Sequence, residues 1–376
     1  AESEEQVLQI ARELLPLGIN LYRAGIWKPR TRPGAFEGIG EVGLKWLQTM
    51  KQETGMKATV EVANAHHVEL CLEAGIDVLW VGARSTVNPF TVQEIADALK
   101  GVDIPVMVKN PVNPDLNLWI GAIERVNNAG ITKLAAIHRG FSTYEKVKYR
   151  NRPMWEIPIE LRRIFPSLPV FCDPSHITGK REYLQEVAQK AYDLDFDGLM
   201  LESHCNPDKA LSDNEQQITP TNLALLMNKL VVRRRNSDDA QFNTTLEQMR
   251  ALIDQQDEEL VRILRERMTV VEQIGLIKQK QNITILQPER WNEIFNTRTE
   301  WAKKHHLSED LVLRIFQLIH QESIRKQTEV MRTNETQDIR HKTQDFFTCA
   351  LIFRIKLDLR YEMTDGKTMP PQMPIR

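Results

Sequence analysis

The sequence predicts an α/β domain of the (β/α)8 TIM-barrel class, followed by an all-α domain of three helices. Three observations predict it. Short β-rich runs alternate with amphipathic stretches up to about residue 230, and helical spacing takes over from Leu246. The turn-forming residues are segregated too: of 17 glycines, 15 lie at or before Gly198, and between Pro220 and Pro370 the only proline is Pro288. Glycine and proline build turns and end helices, so a chain that stops using them has changed architecture. Residues 1–232 are assigned to the barrel and 246–330 to the helices. The polar stretch RRRNSDDAQFNTT (233–245) is expected to be a linker, and 331–376 is left unassigned.

Composition narrows the class. With 376 residues, 41% hydrophobic and 27% charged, the chain can bury a core and is not disordered. A formal charge of -2 excludes a grossly basic nucleic-acid binder. No apolar run approaches the roughly 20 residues of a membrane span, and the acidic start AESEEQ is unlike a signal peptide. The four cysteines (71, 172, 205 and 349) form no CxxC pair, so a reduced, cytoplasmic enzyme is expected.

The first element is a helix, SEEQVLQIARELL, with Ser3 as its cap and acids in its first turn. Seven strands follow at 20–26, 58–62, 77–82, 105–110, 134–140, 169–174 and 198–203. Short uniform units without a GxGxxG fingerprint favour a barrel over a dinucleotide-binding sheet. A barrel needs eight strands, and the first is expected to be missing, upstream of residue 1.

A barrel carries its active site at the C-terminal ends of its strands. Those ends supply Lys28 and Arg30, then Glu61, Arg84, Lys109, Arg139, His176 and Glu202, with Asp213 in the next loop. Convergent cations suit phosphate and carboxylate groups. His, Glu and Asp together suit a divalent metal such as Mn, Fe, Co or Zn. The residues point to a metal-assisted enzyme acting on phosphorylated, acidic small molecules.

The blocks YRAGIWKPRTRPGAFEGIG (22–40), VGARS (81–85), HRG (138–140), CDPSHITGKRE (172–182) and GLMLESHCNPDKALSD (198–213) resemble the short-form type I class of 3-deoxy-D-arabino-heptulosonate-7-phosphate (DAHP) synthase. The resemblance implies condensation of phosphoenolpyruvate with erythrose 4-phosphate. It places Arg23, Lys28 and Lys109 at the phosphoenolpyruvate carboxylate, and Arg84 and Arg139 at its phosphate with Glu61 helping through water. Arg30 and Thr31 would take the acceptor's phosphate, Lys28 would protonate the new alkoxide, and His176, Glu202 and Asp213 would ligate the metal. Two departures stand out. The family's GPCS motif, whose Cys is a fourth metal ligand, has no counterpart here, so this chain is expected to bind metal poorly and to have little synthase activity. His138 replaces the frequent Glu and is given no role. Cys172 and Cys205 are read as fillers. Octulosonate-phosphate synthases, which share the barrel, are the second choice.

The second region opens with LEQMRALIDQQDEELVRILRERMTVVEQIGLIKQK, whose apolar residues recur at three-four spacing. A second helix follows Pro288 and a third begins near Ser308. So long a first helix implies an intertwined homodimer. Residues 246–330 resemble the all-helical class of chorismate mutase, matching at Arg250, Arg267, Lys278, Arg290, Ser323 and Gln327. The resemblance implies that Arg267 and a partner's Arg250 hold two carboxylates of chorismate, while Lys278 and Gln327 donate to its ether oxygen. Gln287 and Trp291 stand where acids are frequent, and Gln287 can still hydrogen-bond. No cofactor is needed for this rearrangement.

The fusion joins two steps of aromatic amino-acid (shikimate pathway) biosynthesis and suggests feedback from the helical domain to the barrel. An inactive barrel serving as scaffold or regulator of a mutase is the alternative. LIFRIKLDLRYEM (351–363) alternates like a strand, His341 and Cys349 stand too isolated to suggest a metal, and the tail is expected to lie beyond the natural end of the fold.

Overall fold

The structure, a computed structural model, describes residues 1–30, 34–144 and 148–339, without the side chains of 333–339. It divides into two compact units, residues 1–236 and 237–376. Thr31, His341, Cys349 and the alternating segment 351–363 lie outside the described residues.

In the first unit the seven strands are β1 (Leu21–Ala24), β2 (Lys57–Val62), β3 (Val78–Val81), β4 (Val106–Lys109), β5 (Leu134–His138), β6 (Val170–Cys172) and β7 (Gly198–Leu199). They pair in parallel in chain order, so the sheet curls as part of a barrel. The helices are α1 (Glu4–Leu14), α2 (Val42–Thr54), α3 (Ala65–Glu73), α4 (Ala83–Thr86), α5 (Pro89–Ala98), α6 (Leu116–Asn128), α7 (Glu156–Ile164), α8 (Pro174–Thr178), α9 (Leu184–Asp193) and α10 (Pro220–Lys229). Side-chain oxygens of Ser3, Asn64, Asn88, Asp115, Asp173 and Thr219 cap six of them.

Helices cover one face of the sheet and a second cluster of side chains fills the other, which is why β4 is buried at every residue. Val60, Leu79, Val106 and Ala136 belong to the core that includes the helices; Trp80, Met107, Ala135 and Ile137 form a separate buried cluster. The sheet does not close among the described residues: β1 pairs only with β2, and β7 only with β6. Between these two edges lies a largely apolar cleft of about 260 Å³, lined by Leu14, Tyr22, Leu199, Met200, Leu223 and Met227 among others. Helices α1 and α10 pack against one another.

The second unit has α11 (Ala240–Lys280), α12 (Pro288–Lys304) and α13 (Glu309–Ile339). Part of the expected linker is helical, since α11 starts at Ala240. Asp239 caps it by accepting from the backbone N–H groups of Gln241 and Phe242. Thr244 and Thr245 satisfy their hydroxyls on the carbonyls of Ala240 and Gln241. This first turn and a half is exposed, so it carries no apolar period to betray it. Helix α13 packs on both α11 and α12. Gly275 permits the close approach, because a Cβ there would lie 3.3 Å from the Gln327 Cα. No described helix is long and apolar enough to cross a membrane.

Candidate active sites

The strand ends of the first unit gather an interlocked set of charges. Lys109 ends β4 and is 3% exposed; its Nζ lies 2.6 Å from Asp173 Oδ2 and 4.4 Å from the Trp80 ring centroid. Asp173 begins α8, accepts from the His176 backbone N–H, and lies 2.9 Å from His176 Nδ1. Burial alone would raise its carboxyl, but His176, Lys109 and Arg23 outweigh that and hold it well below the usual carboxylate range. Asp173 thus orients His176 while neutralising Lys109.

Arg23 on β1 pairs with Glu202, which also accepts from Gln216 Nε2 at 2.6 Å. Burial would raise Glu202, yet Arg23, His176 and Lys28 bring it far below its ordinary value. Burial pushes Glu61 up against the pull of Lys109, Arg23 and Arg84. Gly82 exists for Glu61: a Cβ there would sit 1.8 Å from its Oε1.

Lys28 reaches Ser212 Oγ, and desolvation lowers its pKa. Arg30 donates to the Phe36 carbonyl at 2.9 Å and lies 3.4 Å from Asp213. Arg84 is exposed at the start of α4. Arg139 is 6% exposed, and desolvation pushes its pKa down to about 10. Its backbone N–H donates to Asn110 Oδ1 at 2.7 Å and its Nη1 to Asn151 Oδ1 at 3.1 Å. Asn151 in turn donates to the His176 carbonyl at 2.6 Å. Beside it, His138 lies among Trp119, Phe141, Trp155 and Phe196. Desolvation, aided by the charge of Arg139, lowers its pKa to about 3 and keeps it neutral.

The expected metal ligands are not assembled. Glu202 is engaged by Arg23 and Gln216, and Asp213 by Arg30 and by Arg150 at 2.9 Å, whereas Asp173 on His176 Nδ1 leaves that ring's Nε2 open. No group of three or more metal-ligating side chains occurs among the described residues. As arranged, the donor set does not fit a metal ion. Sequence reasoning also missed Asp173, Asn110, Asn151, Arg150 and Gln216. Only Asp173 had a signal, as the polar residue before Pro174 at a helix start.

In the helical unit, α11 and α13 bring Arg267, Ser323 and Gln327 together. Arg267 Nη1 donates to Ser323 Oγ at 2.8 Å, and Gln327 is 8% exposed with its Oε1 unpartnered among the described residues. Lys278 Nζ donates to the Ile285 carbonyl at 2.6 Å, and desolvation lowers its pKa. Arg290 pairs with Glu293 at 2.5 Å on an exposed face, and Gln287 is exposed at the start of α12. Trp291 stacks on His320 with centroids 4.1 Å apart. Arg250 pairs with Glu247 and is not part of this group.

A family model described as the DAHP synthetase I family matches residues 1–234, and one described as chorismate mutase type II matches residues 249–328. A phospho-2-dehydro-3-deoxyheptonate aldolase of Thermotoga maritima is 30% identical over 217 residues, 58% of this chain and 62% of that protein. The chain therefore spans under two thirds of that relative's length. A 2-dehydro-3-deoxyphosphooctonate aldolase of Syntrophotalea carbinolica is 26% identical over 237 residues, 58% of this chain and 81% of that protein. The crystal structure of a Thermotoga maritima DAHP synthase superposes with TM-score 0.54 at 28% identity, covering 61% of this chain and 65% of that one. A truncated form of the Thermotoga maritima enzyme gives TM-score 0.52 at 26% identity, covering 61% and 80%.

Proposed function

The chain belongs to the DAHP synthetase I family over residues 1–234, and from that premise we propose that its barrel condenses phosphoenolpyruvate with erythrose 4-phosphate while its helical domain rearranges chorismate to prephenate. The observation carrying the first half is the convergence of Arg23, Lys28, Lys109 and Arg139 at the strand ends. Arg84 and Arg139 clamp the phosphate of phosphoenolpyruvate, and Arg23 and Lys109 face its carboxylate, with Glu61 acting through water. Arg30 and Thr31 take the phosphate of the acceptor. The enol carbon attacks the aldehyde carbon, and Lys28, a cation already biased toward losing its proton, protonates the alkoxide. Water then adds to the adjacent carbon, C2 of phosphoenolpyruvate, which bears the phosphate, and inorganic phosphate departs from it to leave the 2-keto acid.

The family is generally metal-dependent. His176, Glu202 and Asp213 are donors of the kind Mn, Fe, Co or Zn accept, but they are not assembled for one, so no step is routed through a metal. The octulosonate-phosphate reading is kept because several relatives carry that activity in their names. It differs in the acceptor, a five-carbon aldose phosphate. Phosphate release with phosphoenolpyruvate and erythrose 4-phosphate, exceeding that with the five-carbon acceptor, is the expected result. The reverse order would exchange the two readings. The free cysteines 71, 172 and 205 suit a reduced cytoplasm.

For the helical half, the carrying observation is Arg267 beside Ser323 and Gln327 on packed helices. Arg250 lies 17 residues before Arg267 on α11, about 25 Å away along the helix axis. It reaches such a site only from a second copy. The apolar residues Met249, Leu252, Ile253, Leu260 and Val261 are exposed along the same helix and suit burial in that homodimer. Chains bearing Arg250→Ala or Arg267→Ala should each lose chorismate turnover. Refolded together in equal amounts, they should regain about a quarter of the wild-type rate, because half the dimers are hybrids with one intact site of two. No recovery on mixing would remove the shared site.

A further inference from the structure

Arginines on the exposed faces of the helical domain find acids one turn away: Arg250 with Glu247, Arg262 with Glu259 and Glu266, Arg314 with Asp310. This is ordinary i,i+3 and i,i+4 pairing. Three cations are held differently. Arg267, Lys278 and Arg298 are in no ion pair among the described residues and donate instead to neutral oxygens, those of Ser323, Ile285 and Thr297. Arg267 and Lys278 already belong to the mutase reading. Arg298 does not.

Arg298 lies on α12 with its guanidinium carbon 4.3 Å from the Trp301 ring centroid and 5.2 Å from that of Phe316. Its Nη1 donates to Thr297 Oγ1 at 2.8 Å. Its Nε is buried with no hydrogen-bond partner among the described residues. Desolvation and then the charge of Arg298 lower the pKa of Arg267, and desolvation and then Arg290 lower that of Arg298. A guanidinium drawn partly out of water and set beside like charges is unfavourable until an anion joins it. The two rings offset part of this cost and fix the plane of the fork.

We propose that Arg298 is a further cation of the helical site, closing with Arg267 on one carboxylate of a small dianionic ligand through its unpartnered Nε. The proposal rests on the reading that this site holds chorismate. The stacked rings hold the fork before the ligand arrives, so little freedom is lost on binding. Such a contact is made equally in the ground and transition states, and its removal raises KM while sparing kcat.

The test uses the full chain with Arg298→Leu, Arg298→Gln and Arg298→Lys, chorismate turnover, and calorimetric titration with prephenate. Arg298→Leu should raise the chorismate KM about tenfold or more with kcat within about threefold, and weaken prephenate to a similar degree. Arg298→Lys, which keeps the charge but loses the planar fork, should fall between the two. Should the leucine variant not fold, Arg298→Gln carries the same expectation. Unchanged KM and prephenate affinity in the neutral variants overturn the inference and leave the mutase reading standing. So does a lowered melting temperature with kcat reduced and KM unmoved, the mark of a structural role. A wild-type chain that neither consumes chorismate nor binds prephenate overturns both.

Discussion

Replacing Lys278 with alanine is expected to slow chorismate consumption at saturation by about 10²–10³-fold, the range found when one preorganised donor to developing charge is removed. The proposed rearrangement needs no nucleophile, so a site for it would act by holding a compact conformer and by stabilising charge on the breaking ether. Lys278 is suited to the second task. It has no ion-pair partner among the described residues, it is held by the Ile285 carbonyl, and its ammonium is partly desolvated. An ammonium already held in place needs little reorganisation as the ether oxygen gains charge. Because that interaction strengthens only in the transition state, KM should move little. A kcat within about threefold of wild type, in a variant with unchanged circular dichroism, would refute the assignment.

The largest stability effect is expected at Asp173. Asp173→Ala should destabilise the first unit by about 3–5 kcal/mol, the usual cost of removing one partner from a buried ion pair. The pair is deeply buried, with Lys109 3% and Asp173 1% exposed at the side chain. Losing the carboxylate leaves Lys109 as an uncompensated charge, removes the helix cap at His176, and takes away the group that orients the His176 ring. Asp173→Asn keeps an oxygen for the cap but not the charge, and should fall between alanine and wild type. Urea unfolding followed by tryptophan fluorescence measures both. A loss under about 1 kcal/mol for the alanine variant would show that Lys109 finds other compensation.

The frame of the molecule was legible because hydrophobic period and turn residues are local signals. Six strands fall within their β-rich runs and β2 starts one residue before its run, at Lys57, and Ser3 and Ser308 cap the helices they precede. Charges at strand ends were legible for the same reason, since a parallel sheet sends those residues to one face. What escaped were the groups defined by what they touch. Asn110 and Asn151 look like loop polars in the sequence, yet they hold Arg139 from two sides. Arg298 reads as one more solvated cation on α12 until its aromatic neighbours on two helices are known. His176, Glu202 and Asp213 stand in the sequence after the last two strands, and only the structure shows neighbouring cations engaging both carboxylates.

The packing of α1 on α10 bears on how the protein behaves in a crowded solution. Unpaired strand edges are templates for pairing with other chains. Here the edges of β1 and β7 border a cleft lined by side chains from α1 and α10, so an incoming chain must first displace helices rather than simply add a strand. Self-association through the sheet is thereby discouraged, and the exposed apolar residues of α11 are the surface on which the proposed homodimer would form. The fold thus separates the contact that would grow without limit from the one that, in the proposed homodimer, would close on itself as a pair.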